Sequence, residues 1–259
     1  MTGARQWHDL GPRTLSGAAM AVAGVAVLWL GGWVFTLAAC AICAMMTWEA
    51  ARMFASPAPV LDGVLAVVVL FLATVLPGLF VLPLVLASGL VSAGRAGRDR
   101  GLCLGFHVWI VLAAFALVLL RREAGAAWVF WLVAVVVACD MAGYFAGRMI
   151  GGAKFWPRAS PKKTWSGTVA GWAAAALVGA VFSEVTGAGA ALVPVSVLVA
   201  LAGQMGDIAE SAVKRRVGVK DSSNLIPGHG GALDRFDALF GAAAALLVLW
   251  SVNVISQGA

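Results

Sequence analysis

Charge is what this chain has least of. Only 12% of its 259 residues are charged, against 62% hydrophobic, where soluble domains average about 25% charged and about 45–50% apolar. So little charge cannot cover the surface of a water-soluble globule. A soluble single-domain enzyme and a disordered chain are both excluded. Four cysteines, all set in apolar runs, do not make a disulfide-stapled secreted scaffold. Histidine is scarce too: His8 lies in the N-terminal tail and His107 inside an apolar run, leaving His229 as the one near polar clusters. A zinc centre or a Ser-His-Asp triad therefore lacks its parts. Period-2 alternation is missing from stretches such as VLAVVVLFLATVL, which speaks against a β-barrel. What is present is apolar length, together with 31 glycines that suit close helix packing. The predicted fold is all-α, a polytopic transmembrane helical bundle.

A membrane-crossing helix needs about 17–25 mostly apolar residues. Nine runs qualify or nearly qualify: 15–30, 33–48, 60–76, 79–92, 102–120, 126–147, 168–182, 190–205 and 238–255. Gly31-Gly32 and Pro77-Gly78 break the first two pairs at tight turns. The chain reads as a single integral membrane domain over 1–259. Within it, 14–125 is an N-terminal scaffold and 126–259 the catalytic half.

With nine spans the termini lie on opposite sides. The N-terminal side then carries Arg5, Arg13, Arg52, Arg95, Arg98, Arg100, Arg148, Lys154, Arg158, Lys162, Lys163, Lys214, Arg215, Arg216, Lys220 and Arg235, and only Arg121 and Arg122 fall opposite. A split of 16 to 2 predicts a cytoplasmic N-terminus and a C-terminus on the other side. The net charge of +6 is thereby a topology and anionic-lipid signal, with no need for nucleic acid. The apolar run before Leu37-Ala38-Ala39-Cys40 resembles a lipoprotein leader, but it is too long and is interrupted by Gly31-Gly32-Trp33. No cleavage is expected. Cys40 and Cys43 form a C-x-x-C without a second Cys/His pair nearby, so they read as small apolar residues in a helix.

The informative residues are the polar ones in or beside the bilayer. Asp140 interrupts an apolar run, and an acid there costs about 2.5–3.5 kcal/mol even on the lenient insertion scale. Tyr144 and Arg148 follow at i+4 and i+8 on the same helical face, while Gly143, Gly147 and Gly151 form a small-residue stripe. The next loop carries Lys154, Arg158, Lys162 and Lys163 between Trp156 and Trp165. Its Ser160-Pro161-Lys162-Lys163-Thr164 run joins hydroxyls, paired lysines and a helix start, a combination suited to a phosphate ligand or to lipid headgroups.

The third cluster is GQMGDIAESAVKRRVGVKDSSNLIPGHGGALDRFD, 203–237. Asp207, Glu210 and Lys214 share one helical face at the end of the eighth span. Asp221, Asp234 and Asp237 follow, around the Pro227-Gly228-His229-Gly230-Gly231 turn, where the backbone can approach a ligand closely. Carboxylates are hard ligands for Mg²⁺ on substrate phosphates, and lysines neutralise a phosphoryl group in displacement. The residues themselves point to metal-assisted phosphoryl or nucleotidyl transfer at the cytoplasmic face.

The run 211–237 resembles the diagnostic stretch of the phosphatidate cytidylyltransferases (CDP-diacylglycerol synthases). It matches that stretch at the serine, K-R, K-D, P-x-H-G-G and D-R-x-D landmarks. Gly206-Asp207, Glu210-Ser211, the SPKKT loop and the helix from Asp140 to Gly147 fit as well, so the likeness covers about 139–240. It implies that CTP and phosphatidate from the bilayer yield CDP-diacylglycerol and pyrophosphate, with Mg²⁺ as cofactor and the number of metal ions open. The implied catalytic residues are Asp207, Asp234, Lys214 and Asp237. Asp207, Asp234, Asp237, Asp221 and Asp140 are the implied metal ligands. Implied substrate contacts are Ser160, Lys162, Lys163, Thr164, Glu210, Ser211, Arg215, Lys220, Pro227, His229, Gly230, Gly231 and Arg235. Membrane lipids are further partners, and a homodimer is left open. The expected location is the bacterial inner membrane, with the site facing the cytoplasm. A CTP-dependent lipid kinase or a cytidylyltransferase for another lipid phosphate is the enzymatic alternative. A transporter is the non-enzymatic one, though it would place polar residues around the midplane.

Overall fold

The computed structural model describes residues 10–157, 160–226 and 230–251, and among these described residues nine α-helices occupy the nine apolar runs. They are α1 (Leu10–Leu30), α2 (Gly32–Met53), α3 (Pro59–Val75), α4 (Val81–Arg95), α5 (Arg100–Leu119), α6 (Ala126–Met149), α7 (Trp165–Phe182), α8 (Leu192–Val217) and α9 (Leu233–Ser251). Among the described residues, six stretches are long and apolar enough to cross a membrane: those built on α2 and on α4 to α8. The apolar part of α1 (Ala21–Leu30) and α3 are shorter, and α9 opens with Asp234, Arg235 and Asp237. The protein is a membrane-embedded helical bundle, in which six of the nine expected spans are long and apolar enough to cross among the described residues.

The helix ends follow local chemistry. Gly31 and Gly32 both adopt positive φ, a region open to glycine, and turn the chain between α1 and α2. Pro59 starts α3 in its first turn, where a missing N–H is harmless. Gly218, at φ +81°, closes α8 behind Lys214, Arg215 and Arg216, whose charges suit a helix C-terminus. Two predicted boundaries shift. Helix α8 continues past 205 to Val217, so that Asp207, Glu210 and Lys214 stand on an unbroken helix. Helix α7 begins at Trp165, because Thr164 caps it by accepting from Gly167 N at 3.2 Å.

The loop ahead of α7 contains one feature the all-α reading did not include. β1 (Lys154–Trp156) pairs antiparallel with β2 (Ser160–Thr164), Lys154 opposite Thr164 and Trp156 opposite Ser160. Phe155 and Trp165 meet edge-to-face over the hairpin, with centroids 4.8 Å apart.

The chain forms two compact units, one comprising 1–111 and 219–236, the other 112–218 and 237–259. In the first, α2 packs on α3 and α3 on α4. Asp62 is buried and holds a partly exposed partner: Arg95 donates through Nε and Nη2 to Asp62 Oδ1 at 3.1 and 2.7 Å, and Ser56 donates to Oδ2 at 2.6 Å. Arg98 covers the end of α2, donating through Nε and Nη2 to Met53 O. Cys40, Cys43 and Cys103 are buried free thiols there, as expected for small apolar residues. In the second unit α6, α7 and α8 pack together. The predicted glycine stripe makes this possible: a Cβ on Gly143 would meet Gly167 O at 3.3 Å, and one on Gly147 would meet Thr164 Oγ1 at 2.9 Å. Trp131 Nε1 donates to Ser196 Oγ across the same interior at 2.9 Å.

Candidate functional site

In the second unit three carboxylates converge. Asp207, Glu210 and Asp237 each offer an oxygen, and these atoms lie within 4.8 Å of one another. Glu210 is fully buried, Asp237 nearly so, and Asp207 half-buried. The packing of α8 against α9 explains the convergence. Gly206 and Gly241 face each other so closely that a Cβ on Gly206 would sit 2.6 Å from Asp237 O and 2.9 Å from Gly241 Cα. Any larger residue would force the helices apart, and with them Asp207 and Asp237.

Two lysines answer this negative charge. Lys163, from β2, pairs with Asp207 at 2.5 Å, and Lys214 pairs with Glu210 at 2.7 Å from one turn along α8. Both side chains are largely covered, 22% and 13% exposed, so each attraction acts with little water to screen it. Ser211 donates to Asp207 Oδ1 at 3.3 Å. Asp140 is exposed on α6, within reach of the charges of Lys163 and Asp207. Tyr144 and Arg148 are exposed and bonded to each other, Arg148 Nη1 donating to Tyr144 Oη at 3.2 Å.

Glu210, expected as a substrate contact, has its carboxylate in the acidic cluster. Oxygen donors in this number suit a hard divalent cation such as Mg²⁺. Thr164, expected to meet substrate, is buried as the cap of α7. Ser160 is half-buried in β2, while Lys162 and Arg215 are exposed.

The first unit holds the remaining predicted residues. Asp234, at the start of α9, accepts from Ser222 N at 3.0 Å, Ser222 Oγ at 2.9 Å and Gly231 N at 2.7 Å. This gathers the two ends of the segment between them. Gly230 has φ +83°, and its carbonyl accepts from Ile226 N at 2.8 Å. Gly231 is buried where a Cβ would collide with Ser222 Oγ and the Glu49 carboxylate. Both glycines are therefore required by space or backbone angle. Asp221, Lys220 and Arg235 are exposed. Pro227 and His229 lie outside the described residues.

One residue of this unit was missed from sequence. Glu49, on α2, is fully buried and accepts from Ser223 Oγ at 2.6 Å, Leu233 N at 2.7 Å, Ala232 N at 2.9 Å and Ser222 Oγ at 3.1 Å. The signal was available, since an acid in an apolar helix is as costly at Glu49 as at Asp140.

The model of the cytidylyltransferase family matches residues 12–252. The chain is 46% identical over 165 residues to a phosphatidate cytidylyltransferase of Brucella suis, covering 62% of this chain and 60% of that protein. It is 38% identical over 148 residues to the protein of the same name from Helicobacter pylori, covering 56% and 55% of the two chains. The corresponding protein of Mycobacterium bovis is 35% identical over 168 residues, covering 62% and 54%. The matched region thus spans somewhat over half the length of these curated relatives. With nearly its whole length matched by the family model, the chain belongs to the cytidylyltransferase family.

Proposed function

We propose that the protein is a phosphatidate cytidylyltransferase, making CDP-diacylglycerol and pyrophosphate from CTP and phosphatidate drawn from the bilayer. The observation that carries this reading is the cluster of Asp207, Glu210 and Asp237, faced by Lys163 and Lys214, in a family that transfers cytidylyl groups. The similarity to phosphatidate cytidylyltransferases supports phosphatidate as the lipid substrate.

The chemistry asks little proton transfer of the protein. A phosphatidate oxygen, already anionic, attacks the α-phosphorus of CTP. The bond from that phosphorus to the β-phosphate oxygen breaks, and pyrophosphate leaves with the electron pair. The main barrier is bringing two polyanions together. Lys163 and Lys214 offset that repulsion, with Lys162 and Arg215 as further phosphate contacts. Asp207, Glu210 and Asp237 would hold Mg²⁺, which when bound neutralises phosphate charge and orients the leaving group. Asp234, Gly230, Gly231 and Arg235 belong to the nucleotide loop in this reading. The basic asymmetry of the loops supports a site facing the cytoplasm, and the bacterial relatives support the inner membrane.

The test is purified protein in detergent with CTP, phosphatidate and Mg²⁺, each omitted in turn. Cytidine label should appear in the lipid fraction only when all three are present. Transfer of label from the γ-phosphate of CTP to the lipid, with CDP released, would replace this reading with a lipid kinase. No labelled lipid in the complete mixture would overturn both.

A further inference from the structure

Glu49 lies far in sequence from every recognised motif, yet its buried carboxylate accepts from four groups. Its four donors come from both ends of a single segment. Ser222 and Ser223 follow directly after Lys220-Asp221, and the N–H groups of Ala232 and Leu233 open α9 just after Gly230-Gly231. A carboxylate at a helix N-terminus satisfies N–H groups that otherwise have no partner and lies at the positive end of the helix dipole. Here the acid comes from a different helix, so it pins the start of α9 and the 222–223 hydroxyls to α2.

The second carboxylate of the segment depends on this arrangement. Asp234 Oδ2 and Glu49 Oε2 lie 2.9 and 3.1 Å from the same Ser222 hydroxyl. A hydroxyl has one hydrogen to donate. The two acids share that hydrogen, so moving Glu49 moves the group against which Asp234 is set. Gly231 fits between Ser222 and Glu49 with no space for a side chain.

We infer that Glu49 is a positioning residue for the proposed cytidylyl transfer. It holds Ser222, Ser223 and the start of α9 in their working positions from outside the motif region and touches no substrate itself. This inference rests on the reading of that segment as the nucleotide loop. It predicts a kinetic signature that a general packing role would not give, because a displaced loop affects CTP and leaves the lipid substrate alone.

The experiment uses the full-length protein in lipid nanodiscs and compares wild type with Glu49→Gln, Glu49→Asp and Ser223→Ala. Glutamine keeps the shape of the side chain but turns an NH₂ toward the donors. Backbone amides of 230–236 in Glu49→Gln should exchange with deuterium at least about tenfold faster, while those of α6 and α7 stay unchanged. In the same variant kcat/KM for CTP should fall at least about tenfold, with KM for phosphatidate within about twofold of wild type. Glu49→Asp, which keeps the charge, should recover part of both effects. Ser223→Ala removes one donor and leaves the acid bonded. It should show a smaller change of the same kind, and it carries the test if Glu49→Gln does not fold.

Exchange and CTP kinetics of Glu49→Gln both within about twofold of wild type would overturn the inference. So would equal losses toward CTP and phosphatidate. If wild-type protein makes no cytidylyl lipid, the proposed function fails by itself, and faster exchange of 230–236 in Glu49→Gln still establishes the anchor.

Discussion

Glu210 is fully buried, and the ammonium of Lys214 lies 2.7 Å from its Oε1, one helical turn further along α8. Two more acids share its surroundings, Asp207 and Asp237. Packing three carboxylates together is unfavourable unless cations compensate, and two lysines from different elements do so. The cluster is thus partly neutralised by the protein, and its oxygen atoms lie within 4.8 Å of one another, an arrangement that suits a divalent ion.

Lys214→Met should be costly for stability as well as activity. It leaves a buried carboxylate without its ion pair, and breaking a pair of this kind costs about 3 kcal/mol or more. The expected result is a lower melting temperature in detergent, measured by tryptophan fluorescence, with a partial return in Lys214→Arg.

Asp207→Asn and Asp237→Asn should each reduce Mg²⁺-dependent transfer about 100-fold or more. A reading independent of activity is thermal stabilisation by Mg²⁺, expected to reach about 2.7 kcal/mol when the ion is at 100 times its dissociation constant. Wild type should show the upward shift. Neither variant should show it at the same concentration.

Gly241→Ala places a methyl 2.6 Å from Ala202 O and 2.9 Å from Gly206 Cα, both backbone atoms that cannot swing away. Overpacking of this type costs about 1–3 kcal/mol. Because the displaced helices carry Asp207 and Asp237, the Mg²⁺ concentration giving half-maximal rate should rise in this variant. An unchanged Mg²⁺ requirement would contradict the packing account.

Asp62→Asn provides the contrast. The pair it breaks, with Arg95, joins α3 to α4 and has no part in the proposed chemistry. Arg95 is 29% exposed, so water offsets part of the loss, and about 1–3 kcal/mol is expected. Melting should shift downward while KM for CTP and phosphatidate stays within about twofold.

Much of the fold could be read from apolar length alone, because a bilayer demands long uninterrupted helices and leaves few alternatives. The helical spacing of Asp207, Glu210 and Lys214 was likewise local, and the structure sets the three on one helix. The β1–β2 hairpin escaped because its strands are three and five residues long, too short for a period to declare itself. The place of Thr164 was ambiguous, since a threonine before a helix serves equally as cap or ligand. Glu49 is the clearest case of non-local information. It meets Ser222 across 173 residues of sequence, and no window along the chain relates the two.

That separation has a consequence for how the protein is made. Helix α2 emerges from the ribosome early, carrying an acid whose four donors have yet to be synthesised. At about 5–20 residues per second, roughly 10–40 seconds pass before Leu233 follows. Throughout that interval Glu49 lacks the partners that satisfy it in the finished fold, and burying a carboxylate without them is costly, so α2 cannot settle into its final packed position. Completion of the second helix awaits the beginning of the ninth, and the N-terminal region matures last where it matters most to the loop it holds.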